Sequence, residues 1–76
     1  MFYFLRRGVG VVTCESRLDP DGPGYELVVT LEDRRVHIER FTEIAALLAR
    51  EHQLLQAWRA QGWAVQGHAP AKTGGA

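Results

Sequence analysis

The sequence predicts an α+β fold in which a four-stranded antiparallel meander is followed by one C-terminal helix packed on one face of the sheet (ββββα). Three observations predict it. Apolar and polar residues alternate in short runs as far as Phe41, the signature of half-buried strands. Turn chemistry interrupts those runs at Gly8-Val9, across Asp19-Pro20-Asp21-Gly22-Pro23-Gly24, and at Asp33-Arg34. From Ile44 onward the apolar period changes to that of a helix.

The first two strands are expected over Phe2–Arg7 and Gly10–Leu18. Glycine at the first central position of a two-residue loop marks a type II′ hairpin, so Gly8-Val9 sets Leu5 against Val12 and Tyr3 against Cys14. The Pro/Gly/Asp cluster is a loop, and the third strand runs from Tyr25 to Glu32. The fourth runs from Arg35 to Phe41. A two-residue turn at Asp33-Arg34 sets Leu31 against Val36 and Val29 against Ile38. With Leu18 opposite Tyr25, the three registers agree on one apolar face: Tyr3, Leu5, Val12, Cys14, Leu18, Tyr25, Leu27, Val29, Leu31, Val36 and Ile38.

Thr42 is the expected N-cap of a helix from Glu43 to about Gln61. At roughly 100° per residue, Ile44, Leu47, Leu48, Leu54, Leu55 and Trp58 form a stripe that should lie on the apolar sheet face. The expected helix–sheet core is therefore Leu5, Val12, Leu27, Val29, Ile38, Leu47, Leu48, Leu55 and Trp58. Gly62 suits the C′ position of a Schellman stop, with Trp63 following at C″ and turned back towards Trp58. Glu51 falls inside the stripe, where an unpaired carboxylate is costly, and Arg7 and Arg40 are its expected partners. Residues 1–65 form one domain. Residues 66–76, rich in Gly, Ala and Pro, read as a disordered tail.

A chain of 76 residues buries a modest core and gains from reinforcement. Cys14 is the only cysteine, which excludes an intramolecular disulfide and fits a buried, reduced thiol. Oligomerisation is the reinforcement left, and a homodimer is expected. Nine basic residues balance nine acidic ones, so no general electrostatic footprint for nucleic acid or anionic lipid exists. The apolar run Met1–Leu5 precedes Arg6 and Arg7, the reverse of a signal peptide, and no stretch nears the ~20 apolar residues of a membrane span. A cytoplasmic location, with no membrane partner, is the expectation.

The second sheet face carries Phe2, Phe4, Arg6, Val11, Thr13, Glu15, Arg17, Glu26, Val28, Thr30, Glu32, Arg35, His37, Glu39 and Phe41 in this register. One helix covers one side only, so the surplus of apolar residues at Phe2, Phe4, Val11 and Val28 points to a docking surface, first of all a self-complementary dimer contact. Arg17 opposite Glu26 and Arg35 opposite Glu32 are expected as cross-strand ion pairs. His37 and Glu39 share a strand face at a spacing that a metal could use, but His52 lies on the helix and His68 in the tail, so no third ligand joins them. Cys14 faces the helix and His37 faces away, which leaves no nucleophile–base pair. The glycine-rich stretches lead into strands, whereas a phosphate cradle leads into a helix. No cofactor and no catalysis are expected.

Four strands followed by one helix resembles the element order of the Whirly and Pur-repeat type of single-stranded nucleic-acid-binding domain. The resemblance implies a dimer that lays a nucleic-acid strand across exposed sheet. Stacking aromatics and a basic groove would do that work, and Phe2, Phe4, Arg6 and Arg17 are the residues able to supply both. Against it, with Arg17 and Arg35 expected opposite glutamates, the Arg6-Arg7 dipeptide is too little positive charge for strong phosphate-driven binding. The chain thus reads as a small non-enzymatic interaction module with a protein partner. Single-stranded DNA or RNA binding through the open sheet face, with Phe2, Phe4, Arg6, Val11, Thr13, Arg17 and Val28 as its surface, is the alternative.

Overall fold

The computed structural model describes residues 1–69 and has the element order β1 (Phe2–Arg7), β2 (Gly10–Leu18), β3 (Tyr25–Thr30), β4 (Val36–Phe41), α1 (Ile44–Ala60) and β5 (Ala64–Ala69). The fold is α+β. Its sheet is antiparallel and its first four strands form the expected meander, with strand order β4-β3-β2-β1-β5. The fifth strand lies beyond the expected architecture. It places residues 66–69, expected in a tail, in the sheet beside β1, with a bulge between Phe4 and Leu5. The domain boundary expected at residue 65 therefore falls inside a strand. The rest of the expected tail lies outside the described residues.

The first two registers follow the turn chemistry. Leu5 pairs with Val12 and Tyr3 with Cys14, and Gly8 takes the positive φ of 59° that its loop position requires. Leu18 pairs with Tyr25 and Cys14 with Val29. The third register is shifted by one residue. Leu31 N–H donates to the Arg35 carbonyl at 2.9 Å, Arg34 N–H donates to the Leu31 carbonyl at 2.8 Å, and Arg34 adopts φ 70°. That is a three-residue loop, Glu32-Asp33-Arg34, in which a tight turn is followed by a left-handed residue. Asp33 holds it by accepting from the Arg35 backbone N–H at 3.0 Å and from Arg35 Nε at 2.6 Å. Arg35 thus pairs with Asp33, and the expected pair with Glu32 is replaced.

Because side chains alternate along a strand, one extra loop residue exchanges the two faces of β4. Val36 now lies beside Thr30 and Ile38 beside Val28, while His37 lies beside Val29 and Glu39 beside Leu27. Ile38 therefore leaves the expected helix–sheet core and is 40 % exposed on the opposite face. Phe41 makes the reverse move and packs against the core.

The buried core comprises Leu5, Val12, Cys14, Leu27, Val29, Leu47, Leu55 and Trp63, with Trp58, Leu54 and Tyr25 packed against it. Helix α1 is built of good helix formers. It begins after Glu43, which occupies the N-cap without a side-chain hydrogen bond, so Thr42 does not cap it. Leu47, Glu51 and Leu55 form the buried centre of its inner face. Leu48, 100° around the helix from Leu47, falls at the flank and is half exposed, outside the core expected for it. The C-terminus matches the expected Schellman motif. Trp63 N–H donates to the Trp58 carbonyl at 3.0 Å, Gly62 N–H donates to the Arg59 carbonyl at 3.0 Å, and Gly62 takes φ 92°. Trp63 enters the core there, under the Arg7 guanidinium 4.8 Å from its ring. Arg7 Nη1 also donates to the Gln61 carbonyl at 2.8 Å, which ties the helix end to β1.

Candidate functional site

The face of the sheet turned away from α1 is the principal candidate. Neighbouring strands place its residues in rows. Ile38 lies beside Val28, which is followed by Glu15 and Phe2. Val36, Thr30, Thr13 and Phe4 form the next row, and Val11 and Arg6 the one beyond. The register shift therefore enlarges the apolar surface expected from Phe2, Phe4, Val11 and Val28. It adds Val36, Ile38 and Arg40 and removes His37, Glu39 and Phe41. Beside the β1–β2 turn the surface dips into a concavity of about 450 Å³, lined in part by Val11, Thr13 and Thr30. No described element covers this face, and six apolar side chains spread over four strands exceed what a solvated sheet face ordinarily carries.

The charges on this face are largely neutralised among themselves. Glu26 is 1 % exposed although it lies on the open side. Arg17 Nε holds its carboxylate at 2.6 Å, and Arg40 reaches it at 3.8 Å from β4. Arg17 also lies 3.7 Å from Glu15, and Arg40 lies 3.7 Å from Asp19. Arg17 thus has the cross-strand partner expected for it. Arg40, expected to serve Glu51 under the helix, belongs to the opposite face because of the shifted register. Arg6 lies over the Phe4 ring at 5.7 Å, a cation–π contact at an exposed site.

The helix side holds two polar groupings. On β4, Glu39 accepts from Arg50 Nε at 3.0 and 3.2 Å and from Arg50 Nη2 at 3.2 Å, and it lies 3.1 Å from His37 Nε2. The Arg50 guanidinium, more than the His37 ring, holds the Glu39 carboxyl below its usual range against the opposing effect of burial. His37 and Glu39 were expected on the open face; the three-residue loop brings them to the helix side of the sheet, where His37 stays exposed and Arg50 takes up the Glu39 carboxylate. Among the described residues no third ligand completes a metal site there. Cys14 and His37 also come to share a face, in one row through Val29, but Cys14 is fully buried and its thiol is pushed up to about 12, first by burial and then by Glu51. Such a thiol is a packing group and a poor nucleophile.

The second grouping centres on Glu51, 5 % exposed beneath the helix, whose Oε2 has no hydrogen-bond partner among the described residues. Arg7 and Arg40, its expected partners, are both engaged elsewhere. Burial pushes the Glu51 carboxyl up, opposed by the N-terminal ammonium and then by the Ser16 hydroxyl. Burial and the neighbouring Glu51 also raise the Tyr3 phenol. A carboxyl whose folded value lies above its unfolded one (about 4.3) binds its proton more tightly when folded. Its favourable contribution is complete below the unfolded value and is lost as pH rises through the folded value. Glu51→Gln is therefore expected to stabilise the fold by about 1–2 kcal/mol at pH 7, with the gain vanishing below pH ~4. Urea denaturation at the two pH values measures this. A gain that stays constant with pH would show that ionisation of Glu51 is not its source.

Fold and face together define a single-sheet α+β domain with its buried core on the helix side and an uncovered reverse side that mixes six apolar residues with paired charges. No protein-family model, no curated protein and no solved structure matches the chain. The likeness to Whirly and Pur-repeat domains therefore rests on the antiparallel sheet and single helix alone, and β5 departs even from that element order. Among the described residues no helix is long and apolar enough to cross a membrane.

Proposed function

We propose that the chain is a small, non-enzymatic interaction module that works as a homodimer and docks a protein partner through its open sheet face. The observation that carries this reading is the set of apolar side chains Phe2, Phe4, Val11, Val28, Val36 and Ile38 gathered on one sheet face, uncovered by any described element. Apolar area of this kind is what a protein interface removes from water. Glu15, Arg17, Glu26 and Arg40 are held in ion pairs, so a docking protein need not strip water from these charges in isolation.

The alternative, single-stranded DNA or RNA across the same face, has Arg6 over Phe4 in its favour. Arg17 and Arg40, bound to carboxylates, are not available as phosphate contacts. Two measurements decide. Light scattering is expected to give a dimer, and the anisotropy of labelled oligo(dT) is expected to stay flat at both low and high salt. Steep, salt-sensitive binding that Phe4→Ala weakens would move the function to nucleic acid. The face itself is tested with the dye ANS, whose emission rises on uncovered apolar surface. Val28→Lys is expected to lower that emission several-fold with an unchanged circular-dichroism spectrum. An unaltered signal would remove the face from the proposal.

A further inference from the structure

We infer that the homodimer forms by antiparallel pairing of the β4 edges of two copies, with Ile38 opposite its own counterpart. The inference rests on the homodimer reading above and assigns its interface. Strand β4 is one border of the sheet, and among the described residues nothing pairs with its outer side. The two borders differ. β5 carries a bulge in its pairing with β1, a feature that twists an edge away from intruders. β4 has six residues in unbroken register, with no proline and no bulge.

The backbone fixes which groups β4 offers. Leu31 and Arg35 form the hydrogen-bonded pair that closes the loop. In an antiparallel ladder such pairs alternate with non-bonded ones. Counting along the register, His37, Glu39 and Phe41 direct their N–H and C=O groups to β3. Val36, Ile38 and Arg40 direct theirs outward. A second β4 can satisfy them only by setting these residues against one another. With Ile38 on the dyad, Val36 meets the partner strand's position 40 and Arg40 its position 36, and about six hydrogen bonds form.

Side chains select the same register. It places His37 across from position 39 of the other copy, and Glu39 across from position 37. Each contact sets an imidazole against a carboxylate, and Ile38 meets an isoleucine. The two neighbouring registers that keep outward groups together centre on His37 or on Glu39. They use fewer of the free backbone groups and bring like residues face to face, carboxylate on carboxylate in the second case. Glu39 is already oriented by Arg50, so its carboxylate is held in place for the second imidazole. The dyad is isologous and closes the assembly at two copies.

Cysteine cross-linking tests the register. His37→Cys and Glu39→Cys proteins are prepared reduced, then oxidised separately and as a mixture, and run on non-reducing gels. Facing positions in both kinds of antiparallel pair, non-bonded (37 and 39) and hydrogen-bonded (38 and 38), lie within disulfide reach, and buried Cys14 contributes no background. The mixture is expected to give several-fold more covalent dimer than either protein alone. Ile38→Cys, which leaves the Glu39–Arg50 contact intact, is expected to cross-link with itself. Equal yields from the separate and mixed proteins, with light scattering still reporting a dimer, would overturn the edge register and leave the homodimer reading standing. A dimer lost in Val28→Lys would also overturn it, by placing the dyad on the open face. A monomer would overturn both.

Discussion

Replacing Leu47 with alanine is expected to cost about 2–5 kcal/mol of unfolding free energy, the range for emptying a packed leucine site. Leu47 is fully buried against a core that includes Leu5, Leu27 and Val29. Helix α1 is the only described layer over that side of the sheet. A cavity here cannot be refilled from a second layer. A domain of this length has roughly 4–11 kcal/mol in hand, so the loss takes a large share of it. The neighbouring Leu48, half exposed at the flank, is expected to lose under about 1 kcal/mol on the same change. Urea denaturation of the two variants compares them directly. Similar losses would mean that the helix is seated on a different stripe.

Gly24→Ala is expected to be nearly as damaging, at about 2–4 kcal/mol. Gly24 has φ 104°, beyond the left-handed region that other residues tolerate. A Cβ at this position would lie 2.6 Å from the Phe41 carbonyl oxygen, which is backbone at the end of β4 and cannot swing aside. Its own carbonyl accepts from Asp19 N–H at 3.1 Å, so the loop that joins β2 to β3 closes on this residue. Gly22, in the same loop, has nothing within 4 Å of an added Cβ. Gly22→Ala should change stability by less than about 0.5 kcal/mol. Thermal and urea unfolding of the pair separate a local steric demand from general loop flexibility. Equal behaviour would contradict the geometry at Gly24.

Much of the fold could be read from residue patterns. Gly8 at a turn that demands positive φ fixed the first hairpin. The run Tyr25 to Val29 alternates strongly enough to fix its pairing with β2. Gly62 followed by Trp63 marked the end of the helix. The failures are equally physical. Asp33-Arg34 and Glu32-Asp33-Arg34 are both plausible loops, since Arg34 supplies the left-handed residue that sequence readers expect from glycine or asparagine. The two loops differ by one residue, and an apolar pattern of Val36, Ile38 and Phe41 has members on both faces. β5 escaped because Ala64–Ala69 contains little to bury besides Val65. Its stability comes from the ladder to β1 and from Trp63 anchoring its start, and neither leaves a mark in local composition. On the open face, Phe2, Phe4, Val11, Thr13, Arg17 and Val28 followed directly from the first two registers. Val36 and Ile38 were hidden by the third. Glu51 was visible as an intruder in the apolar stripe, but the loop carries its expected partner Arg40 to the other face, and Arg7 is taken by the Gln61 carbonyl at the helix end.

The loop at Glu32-Asp33-Arg34 acts as a parity switch for one border strand. Surface loops are where chains most readily gain or lose a residue. Here a single deletion would turn grease into charge along one side of the sheet and charge into grease along the other. No side chain of β4 itself would have to change. Descendants of this chain could trade one binding surface for another in a single genetic step, and loop length in related chains should then predict which surface each one presents.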